Sequence, residues 1–134
     1  MNEETIRNWI KKAENDLKIG NDEMGTQEPA RDMVCFHMQQ CAEKYLKTFL
    51  IFHDNEYPRS HNLEGLLELC FRIDRDFQDL IEIGVQELTK YATTLCYAEN
   101  FYSPSPEETD RAIELAQKVR DFVRSKMRER GFRV

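Results

Sequence analysis

Residues 29–53 read PARDMVCFHMQQCAEKYLKTFLIFH, and no other stretch constrains the fold as strongly. At about 100° per residue, Ala30, Val34, Met38, Cys41, Tyr45, Phe49 and Phe52 fall within one arc of a helix. Cys35, Ala42, Leu46 and Leu50 widen that arc well past the stripe of a surface helix. Such a helix is either the centre of its own core or is covered on a further side by a second protomer. The polar residues His37, Gln40, Lys44 and Lys47 follow one another at three- and four-residue steps along the remaining edge. Glu43 lies beside them, one turn before Lys47. The plainer reading of this row is a solvated edge. The sharper one is the lining of a groove between helices or protomers.

The same period runs through the rest of the chain. Ile6, Trp9, Ile10, Ala13 and Leu17 predict a helix over about 4–24. "GTQEP" ends it, with Pro29 tolerated in the first turn of the next helix, over about 29–53. "DNEYPRS" predicts a turn before a short helix near 63–71, where Ser60 or Asn62 caps and His61 stands at the start. Phe77, Leu80, Ile81, Leu88, Tyr91, Ala92 and Leu95 predict a helix over about 76–100. Gly84 threatens that helix, since glycine weakens a helix interior by about 1 kcal/mol relative to alanine. "SPEE" is the clearest helix start: Ser105 as N-cap, Pro106 at the first position, and Glu108 reaching back to complete a capping box. Ala112, Ala116, Val119, Val123 and Met127 form the buried stripe that follows. No run alternates polar and apolar as a half-buried strand would. The reading is all-α, an antiparallel up-and-down four-helix bundle with an additional short helix. One domain is expected over residues 1–134, with a core at about 4–126 and a basic tail, 127–134, forming a solvated, fraying helix end.

Charge and cysteine usage narrow the function classes. A formal net charge of −6 opposes long-range attraction to nucleic acid or anionic membrane, so neither DNA nor a membrane is an expected partner. No apolar stretch approaches the roughly 20 residues that span a bilayer, and the start of the chain lacks the pattern of a signal peptide. A cytoplasmic location is the expectation. Cys35, Cys41, Cys70 and Cys96 form no CxxC pair, so reduced thiols, mostly buried, are expected. His37 and Cys41 stand four residues apart, yet two ligands do not make a site, and neither a metal nor a cofactor is expected. No glycine-rich phosphate loop is present and nothing marks a nucleophile.

The order of segments carries more information than any one of them. "WIKKAENDLKIG", "FHMQQCAEKYLKTFL", "SHNLEGLLELC" and "LTKYATTLCYAENFYSPSPEETDRAIELAQKV" together resemble the HEPN domain family over about residues 4–126. The most specific part is "QQCAEKYLK", followed by His61 ahead of a leucine-rich short helix. The resemblance implies an up-and-down four-helix core with a short fifth helix, a homodimer, and a minimal nucleotidyltransferase as partner in a toxin–antitoxin-like module. Several branches of the family are metal-independent RNases whose motif near the last helices is an arginine followed, after a short spacer, by a histidine. The matching region here, "TTLCYAENFYS", has Cys96 where the arginine is expected and no histidine after it. A thiol cannot replace a guanidinium in stabilising charge on a phosphorane-like transition state. Arg31 and His37 satisfy the spacing, but in the second helix, and that match is taken as coincidence. The resemblance therefore implies a non-catalytic or weakly catalytic partner protein. Two alternatives stand beside it: an RNase with a rearranged set of His61, His37 and Lys47, and a nucleotide-binding regulator. Contacts to nucleotide, RNA or partner are expected from Gln40, Glu43, Lys44, Lys47, His61, Tyr91 and Tyr97, and the dimer seam from the second and fourth helices.

Overall fold

A computed structural model describes residues 2–93 and 102–134. Helix α1 spans Glu3–Met24 and is capped by Asn2, whose side chain accepts from the Thr5 N–H at 3.0 Å. Helix α2 spans Arg31–Phe52 with Ala30 at the cap position, so Pro29 lies just ahead of the helix instead of within its first turn. Helix α3 spans Leu63–Ile73. Of its two candidate caps, Asn62 accepts from the Glu64 N–H at 3.0 Å, while Ser60 supports Asn62 by accepting from its N–H.

The continuous helix expected from 76 onward is instead a chain of short pieces. A 3₁₀ turn at Arg75–Phe77 leads into α4 (Gln78–Ile83), a second 3₁₀ stretch covers Val85–Thr89, and α5 covers Lys90–Thr93. Gly84 causes the main break. It sits at φ +91°, in the left-handed region, and its N–H bonds the Ile81 carbonyl to close α4.

The last helix, α6, spans Pro106–Glu129 with Pro106 in its first turn. Ser105 Oγ accepts from the Glu108 N–H at 3.1 Å, which is one half of the expected capping box. The other half is not made, because the Glu108 carboxylate accepts the hydroxyls of Tyr91 and Tyr102. The end of α6 corrects the expected fraying. Gly131 adopts φ +85°, its N–H bonds the Arg128 carbonyl, and the Phe132 N–H reaches back to the Met127 carbonyl. This Schellman turn folds Phe132 back to a buried place, edge-on to Phe52 at 5.6 Å and beneath the Arg7 guanidinium.

Contacts fix the chain directions. Glu14 meets Tyr45 and Arg7 lies by the end of α6, so α1 runs antiparallel to both α2 and α6. Cys35 meets Thr109 and Phe52 meets Phe132, so α2 and α6 run parallel. Helix α2 is the central element and packs against α1, α6, α3 and the pieces between Val85 and Thr93. Its wide apolar arc is thus covered within one chain. Val34, Met38, Cys41, Ala42, Tyr45 and Leu46 are completely buried, and each large apolar side chain so placed stabilises the fold by about 1.5–3 kcal/mol. Among the described residues no strand is present. Among the same residues no helix is long and apolar enough to cross a membrane, and Cys35, Cys41 and Cys70 are free and buried.

Candidate functional site

The polar row of α2 does not stay together. Successive steps along a helix rotate its side chains, and the neighbours of α2 divide the row into two clusters on different sides.

The first cluster faces the start of α3 and centres on Glu43. Its Oε2 accepts from Lys47 Nζ at 2.9 Å. Its Oε1 accepts from Gln39 Nε2 at 3.0 Å and bonds His61 Nδ1 at 2.8 Å. Gln39 also donates to the His61 carbonyl at 3.2 Å, and Gln40 Nε2 donates to Gln39 Oε1 at 2.6 Å. Tyr57 lies over Lys47 with the ammonium 5.4 Å from its ring centre, and Trp9 of α1 meets Tyr57 edge-on. The connection between α2 and α3 therefore lids the ion pair. Both side chains of that pair are under 10 % exposed. Burial works against the charge on Glu43, but hydrogen bonds from Lys47, Gln39 and His61 outweigh it and hold the carboxyl below the ordinary glutamate range.

The second cluster faces α1. Asp16 accepts from Lys44 through Oδ2 and bonds His37 Nδ1 at 2.8 Å through Oδ1. Further along α1, Glu14 receives the Arg120 guanidinium through both oxygens, at 2.9 and 3.1 Å, and the Tyr45 hydroxyl at 2.6 Å. Burial again opposes charge on Glu14, and its Arg120 and Tyr45 bonds win, lowering its pKa. The same bonds tie α1 to α2 and α6.

The expected site residues therefore separate. Glu43, Lys47 and His61 come together with Gln40 at their edge. Lys44 and His37 belong to the Asp16 cluster. Tyr91 lies elsewhere, donating its hydroxyl to Glu108 in a cleft between the 3₁₀ stretch and α6. Tyr97 and Cys96 lie outside the described residues. Arg31 and His37 are six positions apart on α2, about 240° around the helix, so they share no face. Cys41 is completely buried, its thiol pushed up by burial, which suits it poorly to bind a metal as thiolate. Among the described residues no group of three metal-binding side chains is assembled.

Three participants were absent from the expected set. Gln39, one turn before Glu43, was legible from its spacing. Asp16 had a fainter signal, a carboxylate set into the apolar stripe of α1. Tyr57 had none, since a loop aromatic acquires a role only from where the loop folds.

Chemically, the Glu43 cluster orients one imidazole. An ionised carboxylate only accepts, so His61 Nδ1 must carry the proton it shares with Glu43. The His61 side chain is 58 % exposed, with the edge bearing Nε2 turned away from the carboxylate. A neutral His61 thus offers a lone pair outward.

Residues 6–126 match the family model for the HEPN domain. A crystal structure described as that of an archaeal HEPN homologue superposes with a TM-score of 0.68 at 25% identity, covering 91% of this chain and 97% of that one. No curated protein matches the chain.

Proposed function

The chain belongs to the HEPN family, and from that premise we propose that it is a partner-binding helical module with little or no RNA-cleaving activity. In this reading it forms a homodimer and pairs with a minimal nucleotidyltransferase. One observation carries the non-catalytic part: each cation of the α2 row is neutralised by a carboxylate. Lys47 is committed to Glu43, and Lys44 to Asp16. Stabilising a pentavalent phosphate transition state needs a cation aimed at the developing charge, and Lys47 is buried beneath Tyr57 instead. The test is co-expression with the product of the neighbouring gene, which this reading expects to be a minimal nucleotidyltransferase. A stable complex on size exclusion is expected, and recovery of the bare HEPN protein alone would overturn the pairing.

A second reading has one observation in its favour, the carboxylate-oriented and outward-facing His61. It makes His61 the general base for a 2′-hydroxyl, with Glu43 fixing the tautomer. Incubation with labelled RNA decides between the two. No cleavage, or cleavage unchanged in His61→Ala, removes the RNase reading; cleavage lost in that variant would establish it.

A further inference from the structure

We propose that the groove between the second half of α1 and the start of α2 is a docking surface for a cationic amphipathic helix of a different protein. Three large apolar side chains are exposed among the described residues, and two of them, Ile19 at 50 % and Met33 at 45 %, line this one groove. Its volume is about 460 Å³, and Val34 and Gly20 form its buried floor. Paired exposed apolar residues over a concave floor mark an interaction surface, whereas single ones scattered over a protein do not. His37 closes the inner end. Its Nδ1 is held by Asp16, which orients the ring against the groove and leaves its other nitrogen for a polar group of the partner.

The charge around the groove selects the occupant. Residues 18–32 contain Asp22, Glu23, Glu28 and Asp32 against Lys18, which pairs with Asp22 at 2.7 Å, and Arg31, so this end keeps an acidic excess. A symmetric contact between two copies would set this acidic end against itself, and like charges facing one another disfavour that assembly. A partner with lysine or arginine flanking its apolar anchors meets the opposite situation. A groove between two helices fits the i, i+4, i+7 face of a third helix, with aliphatic anchors falling beside Ile19 and Met33. This inference rests on the partner-binding reading only for who supplies the helix.

The probe is a labelled synthetic helix with leucine at i, i+4, i+7 and i+11 and lysine between, followed by fluorescence anisotropy at physiological salt. Saturable binding is expected, weakened about tenfold or more in Ile19→Ser and in Met33→Ser, both exposed positions where circular dichroism should be unchanged. The same composition in scrambled order, or with glutamate for lysine, should bind at least about tenfold more weakly. Equal binding of the scrambled peptide, or no effect of either substitution, overturns the groove. Dissociation of a homodimer by Ile19→Ser in sedimentation overturns the choice of occupant, because a second copy would then fill it. Failure of the wild-type protein to hold the nucleotidyltransferase, with peptide binding intact, sinks the pairing above and leaves this surface standing.

Discussion

Helix α2 carries two clusters of similar make-up on different sides, each a carboxylate holding one lysine and one histidine. In the cluster toward α3, carboxylate and lysine are one turn apart on the same helix, and the histidine arrives from a connection. In the cluster toward α1, histidine and lysine share α2 and the carboxylate arrives from the neighbouring helix. Their exposures are distributed differently. The Glu43–Lys47 pair is sealed while His61 is open, whereas His37 and Lys44 are each about one-fifth exposed. A sealed ion pair orienting an open imidazole is arranged to present that ring outward. A half-open pair around Asp16 is arranged to brace two helices.

The largest expected effect separates the two on stability. Glu43→Gln leaves Lys47 charged and buried without its carboxylate, and a loss of about 3–5 kcal/mol is expected in urea unfolding. Asp16→Asn should cost less, about 1–2 kcal/mol, because Lys44 and His37 can turn toward water. Equal losses would erase the distinction drawn between the clusters. Replacing the whole buried pair, Glu43→Leu with Lys47→Met, should recover most of what Glu43→Leu alone loses, since no unpaired charge remains; a strictly additive double mutant would break that account.

Acid sharpens the same comparison. The folded pKa of Glu43 lies below its ordinary value near 4.5, so its contribution is complete above that value and is lost as pH falls through the lowered one. Unfolding followed from neutral pH down into the acid range should show a stability decline that is shallower in Glu43→Gln. Glu14, also lowered, supplies part of the decline that remains. A slope identical in wild type and variant would remove Glu43 from the acid response. The smallest effect belongs to the open partner: His61→Ala should change stability by less than about 1 kcal/mol. A larger loss would make His61 a structural strut and end its claim to face a ligand.

The pair Glu43–Lys47 was legible in the sequence because four-residue spacing places two side chains together in any helix. The Ser105 cap and the break at Gly84 were legible for the same reason, as both depend on neighbouring residues. The reach-back of Glu108 was not, because two tyrosine hydroxyls claim its carboxylate. The return of Phe132 had a readable sign in Gly131, a glycine one residue ahead of an apolar side chain at a helix end.

Local periodicity alone determined that this chain is helical, that α2 must be buried over an unusually wide arc, and that a carboxylate and a lysine would meet on it. Those features need only the rotation per residue and the wish of apolar surface to leave water. Which side of α2 each polar group serves was decided only by tertiary packing. His61 lies 18 positions from Glu43, and Asp16 lies 21 and 28 positions from His37 and Lys44; the angle at which α1 and the α2–α3 connection approach follows from how the whole core packs.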